Sequence, residues 1–190
     1  IKTDSIKIPD ATPEIIQFTM DFGKQYGYEF EHEATYDRMC LVNDAVYIAK
    51  YPDGKWTATG TQFQVPYVFK KLFSKEELIF DDMCETKSVT STLYLDMNEN
   101  LPEGEHNYQF IGKVGRFCPI KEGCGGGVLY REKEGKYYSA TGSKGYRWLE
   151  SEVVQGTDLE HQIDMRYYNT MADEAVASIN EYGDFETFAN

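Results

Sequence analysis

One helical pattern followed by a run of strand patterns limits this chain to a small set of folds. Thr12-Pro13-Glu14 is a typical helix start, because threonine caps the first turn and proline at the first helical position lacks only an N–H that has no partner there. Apolar residues then recur at helical spacing until Gly27, at Ile15, Phe18, Phe22 and Tyr26. We expect this stripe to pack against a sheet.

Strand patterns lie on both sides of this helix. Residues 1–8 alternate up to Pro9, and residues 28–33 alternate aromatic residues or His with glutamates. Three further strands are predicted at 39–42, 45–51 and 55–59, with a turn at Pro52-Asp53-Gly54. One strand before the helix and several strands after it predict an α+β fold.

The pattern changes after Gly60. Val65-Pro66-Tyr67 predicts the start of a short helix, and the capping box Ser74-Lys75-Glu76-Glu77 predicts a second helix that runs towards Cys84. Residues 89–95 are rich in β-branched side chains and predict a strand. The last 30 residues contain the clearest amphipathic helix, with Asp164 as its cap.

Residues 106–149 form a basic segment in an acidic chain. The formal net charge of the chain is −13, whereas this segment carries eight basic and three acidic residues. Its aromatic residues and turns predict a small β-module with a hairpin over Glu134-Gly135. The rings and cations could line a groove for nucleic acid, or the rings could build a core while the lysines are solvated. The candidate phosphate contacts are Arg116, Lys144 and Arg147.

Other classes of site find little support. The four cysteines are too sparse for a disulfide framework and lack zinc-ribbon spacing, so we expect free thiols. The glycines within 123–127 lack the Lys-Ser/Thr pair and the following helix of a phosphate loop, and predict a flexible turn. No apolar run approaches the roughly 20 residues of a membrane span. A pair of glycosidase carboxylates stays open, because such pairing is spatial.

Asp4 is the candidate metal ligand. It stands between Thr3 and Ser5 at the start of a strand pattern, where an acidic residue usually serves a turn and sometimes holds a metal. Thr3-Asp4-Ser5-Ile6, followed by a loop, a helix and strands, resembles the Asp-Thr-Asp-Ser motif in the palm of family B DNA polymerases. The principal metal-binding carboxylate of that motif matches Asp4, whereas its first Asp matches Lys2, which cannot hold Mg²⁺.

A second part of the resemblance lies at residues 43–50. Polymerases of this family carry a Lys-Lys-Arg-Tyr type signature on a palm strand that contacts the primer. Tyr47 matches the final aromatic residue, Asp44 stands where the basic pair would be, and Lys50 supplies a displaced positive charge. Helices that follow the palm in this family begin the thumb, which grips the duplex.

The resemblance implies a fragment of a phage-type DNA-directed DNA polymerase. Residues 1–60 would be the C-terminal part of the palm, an antiparallel sheet with a packed helix. Residues 61–190 would be a helical thumb region with a β-rich insertion at 106–149. Because the chain begins at Ile1 inside the motif, we expect the remaining metal ligands in a longer protein, and these 190 residues to be inactive alone.

The implied chemistry is template-dependent nucleotidyl transfer with two Mg²⁺ ions, one of which Asp4 would help to hold. The implied partners are primer–template DNA, deoxynucleoside triphosphates and the rest of the polymerase chain, without a membrane. The implied location is the cytoplasm of the host cell. The alternative function is a non-catalytic module that binds nucleic acid or carbohydrate through the aromatic β segment.

Overall fold

Two antiparallel sheets form the framework of an α+β fold, which confirms the predicted fold class. The structure is a computed structural model that describes residues 5–98, 101–102 and 104–190. The first sheet has three strands, in spatial order β1 (Arg38–Asn43), β2 (Val46–Lys50) and β3 (Trp56–Thr59). These strands and the turn at 52–54 confirm the three strands predicted for this region.

The first helix, α1 (Pro13–Gln25), begins as predicted but does not pack as predicted. The Thr12 hydroxyl accepts a hydrogen bond from the backbone N–H of Ile15. Phe18 and Tyr26 are each 66% exposed, so the expectation that this stripe packs against the sheet is wrong. The rings contact one another instead, with the Phe18 and Phe22 centroids 5.8 Å apart. None of the core clusters in the described part of the chain contains an α1 residue.

Two of the predicted strands are absent from the described residues. Residues 5–8 and 28–33 lie in no strand, and residues 1–4 lie outside the described part of the chain. After α1 the backbone N–H of Tyr28 donates to the Gly23 carbonyl, and the Phe30 ring packs over Gly23. An alternating pattern becomes a strand only when a neighbouring strand pairs with its backbone, and this segment pairs with the end of a helix instead.

Helices from both halves of the chain cover the first sheet. They are α2 (Thr61–Gln64), α3 (Pro66–Phe69), α5 (Met165–Asn180) and α6 (Phe185–Ala189), with a π-helical turn at Lys70–Ser74 after α3. The core between them includes Ile48, Phe63, Val68, Ala175 and Ile179. It therefore combines residues from 1–60 and 61–190, and the predicted boundary at residue 60 stays a prediction.

No helix starts at the predicted capping box of residues 74–77. Lys75 adopts the left-handed conformation (φ 57°), which ends the preceding π-helical turn, and only a 3-10 turn at Phe80–Met83 follows. The carboxylate of Asp82 accepts from the backbone N–H of Ile79 at 2.8 Å and from Lys70 at 2.9 Å. A buried carboxylate further along the chain therefore takes the capping role.

The second sheet contains five strands in the order β7-β6-β4-β5-β8. They are β4 (Glu85–Asp96), β5 (Tyr108–Ile120), β6 (Val128–Lys133), β7 (Lys136–Ser139) and β8 (Arg147–Glu150). The hairpin over Glu134 and Gly135 confirms the predicted turn, since both residues have positive φ. The central strand β4 precedes residues 106–149, so the sheet is larger than the predicted β-module.

The long helix α5 joins the core clusters, and its cap at Asp164 is confirmed. Its buried stripe consists of Tyr168, Ala172, Ala175 and Ile179. Tyr168 belongs to the cluster beneath β5 and β8, whereas the later residues of the stripe pack beneath β1 and β2. The short helix α4 (Ser151–Val154) and a 3-10 turn at Asp158–Gln162 connect β8 to α5. Among the described helices, none has the length and apolar character needed to cross a membrane.

We expect Phe63→Ala to lower the free energy of unfolding by about 3–5 kcal/mol, because the buried ring leaves a cavity. Phe18→Ala is the matched control on the exposed stripe of α1, with an expected change within about 0.5 kcal/mol. Urea unfolding followed by circular dichroism measures both values. A Phe18→Ala loss as large as that of Phe63→Ala would show that α1 is packed in solution.

Candidate nucleic-acid interface

A pocket with several basic side chains lies where β8, the loop before it and the start of α5 meet. Its volume is about 250 Å³, and three of its lining residues are cations, namely Lys144, Arg147 and Arg166. Glu122 is the one acidic residue among those that line it. Two of the predicted phosphate contacts, Lys144 and Arg147, are therefore brought together, and Arg166 joins them.

Arg147 is held in this pocket by the glycine segment. Its Nε and Nη2 atoms donate to the Gly126 carbonyl at 3.0 and 2.8 Å. A Cβ atom at Gly126 would lie 2.9 Å from the Arg147 Cβ, so the close approach requires glycine. Gly127 forms two backbone hydrogen bonds with Trp148. The glycine segment thus begins as a turn at residues 122–123, and its last residue, Gly127, directly precedes β6 and pairs with β8, while the Gly126 carbonyl positions an arginine.

Arg166 is held by the residue that caps α5. The buried carboxylate of Asp164 accepts from the Arg166 backbone N–H at 3.1 Å, from its Nε at 3.0 Å and from its Nη2 at 2.5 Å. These hydrogen bonds lower the pKa of Asp164 below its ordinary value. The Arg166 side chain is 71% exposed, and its guanidinium lies 5.6 Å from the centre of the Tyr146 ring. The Arg166 guanidinium is therefore an oriented cation in the lining of the pocket.

Lys144 lies on a loop with a buried anchor. The Ser143 hydroxyl donates to the Ala140 carbonyl at 2.6 Å, and the Trp148 indole N–H donates to the Ser143 carbonyl at 3.0 Å. Lys144 itself is exposed and forms no hydrogen bond or ion pair with any residue that the structure describes. A lysine ammonium beside oriented arginines can bind one oxyanion group, such as a phosphate.

Arg116 lies outside this pocket. Its guanidinium forms an ion pair with Asp81 at 3.1 Å, and both side chains are exposed. Its charge is therefore partly offset at the junction of β4 and β5. Sequence analysis missed Arg166, although its position two residues after a helix-capping aspartate is a signal that could have identified it.

Tyr47 and Lys50 lie on the first sheet, also outside the pocket. They are three residues apart on β2, which has a regular register with β3, so they face opposite sides of the sheet. The Lys50 ammonium lies 5.4 Å from the centre of the Trp56 ring. The cation beside Tyr47 is Lys7 instead, at 5.9 Å from the ring centre. Lys50 therefore does not lie beside Tyr47, and its role as a displaced positive charge at the primer contact stays a prediction.

The predicted metal ligand, Asp4, lies outside the described residues. Within the described ranges, no three His, Cys, Asp or Glu side chains are grouped to hold a metal ion. The four cysteines are free thiols, and the Sγ atoms of Cys84 and Cys118 are 3.6 Å apart. Burial raises the pKa of both thiols above the ordinary value, which keeps them protonated.

A second, more open pocket lies beside the C-terminal helix α6. It is lined by Arg38, Asp184, Thr187 and Phe188 and has a volume of about 420 Å³. The Arg38 guanidinium donates to the carbonyls of Thr187 and Phe188, at 3.2 and 2.9 Å. These bonds tie β1 to α6, so Arg38 has a structural role.

Comparisons of the chain with models of protein families, with curated proteins and with solved structures find no match. The resemblance at residues 3–6 and 43–50 therefore stays a prediction.

We expect Asp164→Asn to destabilise the chain at neutral pH but not in strong acid. Asparagine still caps α5, so the substitution removes mainly the charge that pairs with Arg166. Because the folded pKa of Asp164 lies below the ordinary value of 3.8, its stabilising effect is complete above that value. The effect is lost as the pH falls through the folded pKa.

Thermal unfolding midpoints of the unsubstituted chain and of Asp164→Asn, at pH 7 and at about pH 2, measure this effect. Asp173→Asn, at an exposed position on the same helix, is the control and should behave like the unsubstituted chain. A deficit of Asp164→Asn that is equally large at both pH values would contradict the ion-pair explanation.

Proposed function

We propose that this chain is the C-terminal palm and thumb part of a DNA-directed DNA polymerase of family B. In this proposal it contributes one metal-binding carboxylate and contacts with the primer–template duplex. One contact carries the proposal most directly. Lys7, three residues after Asp4, has its ammonium 5.9 Å from the centre of the Tyr47 ring. Lys7, which directly follows the segment that resembles the metal motif, therefore lies near the strand that resembles the primer-contact strand.

The order of elements also supports the proposal. The segment with Asp4 is followed by a helix, α1, and then by a three-stranded antiparallel sheet whose middle strand carries Tyr47. In the resembling family, the metal motif, a helix and the primer-contact strand follow one another in this order. Tyr47, with Lys7 beside it, is the proposed primer contact, and Lys50 faces the other side of the strand.

Asp4 has the proposed catalytic role of a metal ligand. In nucleotidyl transfer two Mg²⁺ ions stabilise the attacking primer hydroxyl and the leaving pyrophosphate. Asp4 is the carboxylate of this chain that would hold them, together with a carboxylate from the rest of the polymerase. Lys2 carries a positive charge and leaves Asp4 as the only acidic residue of the motif.

The basic pocket is the proposed contact with the duplex. Lys144, Arg147 and Arg166 gather positive charge at one place on a chain of net charge −13. Phosphate contacts need this local charge, because the acidic remainder of the chain repels DNA. The hydrogen bonds from Gly126 and Asp164 orient the two arginines, so little side-chain entropy is lost on binding.

The second candidate function is a non-catalytic module that binds nucleic acid or carbohydrate. The observation that favours it is a group of aromatic rings on the five-stranded sheet, where Tyr108 and Tyr137 stack at 3.8 Å between centroids. Such a module needs neither Asp4 nor Tyr47. Substitution of Asp4 therefore separates the two candidates.

In the complete protein that contains this chain, Asp4→Asn should lower primer extension by orders of magnitude while duplex binding persists. Asparagine keeps the shape of the side chain but loses the charge that holds Mg²⁺. Primer extension and binding of the same labelled duplex measure the two properties. Asp10→Asn is the control, because Asp10 is exposed and tolerates asparagine at its φ of 50°. Unchanged extension by Asp4→Asn would overturn the polymerase proposal.

Lys144→Ala should weaken duplex binding by a similar factor whatever the DNA sequence of the duplex. Loss of one phosphate contact should also reduce the slope of log K against log salt by about one. Titrations of a labelled duplex at several salt concentrations measure this slope. Lys55→Ala removes the same charge from an exposed turn of the first sheet and should leave the slope unchanged. Equal effects of the two substitutions would mean that only the net charge of the chain matters.

A further inference from the structure

Two cysteines face each other across neighbouring strands of the five-stranded sheet. Cys84 directly precedes β4 and Cys118 lies on β5. The antiparallel register that pairs Glu85 with Phe117 continues by one step to these two residues. Their Sγ atoms are 3.6 Å apart and share a hydrogen bond. We call these two residues the cysteine pair.

The backbone geometry of the cysteine pair suits a disulfide bond. Directly opposite residues of antiparallel strands have Cα atoms about 4.5 or 5.5 Å apart, and disulfides span Cα separations of about 4.4–6.8 Å. The side chains of such residues also lie on the same face of the sheet. To form the bond, the two sulfur atoms must approach from 3.6 Å to about 2.05 Å. Rotation of the two side chains supplies most of this approach, so the strand pairing can stay in place.

The two members of the pair differ in exposure, which decides the order of the reaction. Cys118 is fully buried, whereas Cys84 is partly exposed. Burial raises the pKa of Cys84, and the hydrogen bond with Cys118 and the charge of Arg116 partly offset that rise. Burial also raises the pKa of Cys118, and its contact with Cys84 raises it further. Cys84 is therefore the sulfur that an oxidant reaches first, and Cys118 is the sulfur that completes the bond.

The other two cysteines are placed differently. Cys40 packs in the core beneath the first sheet, and the Cys124 thiol donates to the side-chain carbonyl of Gln162 at 3.3 Å. Neither has a second sulfur within hydrogen-bond distance among the residues that the structure describes. The opposed arrangement is therefore particular to the cysteine pair, and Cys124, which is also partly exposed, offers a control.

We infer that the cysteine pair is a site of reversible oxidation, at which a small-molecule disulfide converts the two thiols into one disulfide bond. Cys84 loses its proton to water, and its thiolate attacks one sulfur of the small disulfide, whose S–S bond breaks. The first half leaves and takes up a proton to become a thiol. Cys118 then loses its proton and attacks the Cys84 sulfur of the mixed disulfide, and the second half leaves as a thiol in the same way. The protein thus loses two electrons and two protons, which the small disulfide gains.

The new bond would connect two parts of the fold that meet near the start of α5. Cys84 follows the 3-10 turn at Phe80–Met83. Beside Cys118, the carbonyl of Pro119 accepts the backbone N–H of Asp164 at 2.8 Å. The two cysteines are 34 positions apart in the sequence, so the bond closes a long loop and lowers the conformational entropy of the unfolded chain. Oxidation should therefore stabilise the folded chain, whether or not the chain belongs to a polymerase.

The experiment incubates the folded full chain in glutathione buffers of increasing disulfide content and then blocks the remaining thiols with N-ethylmaleimide. Mass spectrometry of the peptides should find Cys84 linked to Cys118, with Cys40 and Cys124 carrying the blocking group. The link should be absent from Cys84→Ser. Cys124→Ser is the matched control and should form the link like the unsubstituted chain. If Cys84→Ser does not fold, the linked peptide of the unsubstituted chain still identifies the bond.

Thermal unfolding of the oxidised and reduced chains measures the stabilisation. The oxidised chain should unfold at a temperature about 5–10 °C higher, and excess dithiothreitol should remove the difference. The same shift is expected for Cys124→Ser and no shift for Cys84→Ser.

Four results would overturn the inference. They are a glutathione adduct that persists on Cys84, a link that involves other cysteines or a second chain, a folded chain that the buffers do not oxidise, and an oxidised chain that unfolds at the same or a lower temperature. The first would show that Cys118 does not reach the Cys84 sulfur, and the last would show that the bond strains the fold.

Discussion

Burial of one face of α5 is the interaction on which the rest of the structure depends. Tyr168 packs beneath the five-stranded sheet, and Ala172, Ala175 and Ile179 pack beneath the three-stranded sheet. The small alanines allow helix and sheet to approach closely, and the larger residues at either end fill the two cores. A helix near the end of the chain thereby holds together elements that are separated by more than a hundred residues.

The position of the basic pocket follows from this packing. The backbone N–H of Asp164 donates to the Pro119 carbonyl at 2.8 Å, and Ile163 forms a β-bridge with Ile120. These contacts fix the start of α5 against β5, beside the strand that carries Arg147. Arg166 and Arg147 line the same pocket because the cap of α5 and the pairing of Gly127 with β8 lie at one corner of the fold. Three cations at this corner face two carboxylates, Glu122 and the Asp164 group that pairs with Arg166, so the corner keeps a local positive charge.

The two faces described for the larger sheet have different chemistry. One covers the core and ends at the basic pocket, where oriented arginines suit a phosphate of a duplex backbone. The other carries ordered rings, with Phe110 and Tyr137 exposed.

Local sequence patterns were sufficient to predict the elements whose signals lie in neighbouring residues. The caps at Thr12 and Asp164, the strands at residues 38–59 and the hairpin at Glu134-Gly135 were predicted because capping, alternation and turn chemistry act over a few residues. Lys144 and Arg147, which were predicted as phosphate contacts together with Arg116, line one pocket because they are close in sequence. These features set the α+β class of the fold.

The other features of the fold depend on contacts between residues that are far apart in the sequence. Alternation at 28–33 produced no strand because no neighbouring strand pairs with it, and the α1 stripe stayed exposed because the cores were filled by α2, α3 and α5. Arg166 joined the pocket through the bridge from Ile163 to Ile120, which no local pattern reports. The burial and pairing that place side chains together are properties of the whole chain, and a window of a few residues does not contain them.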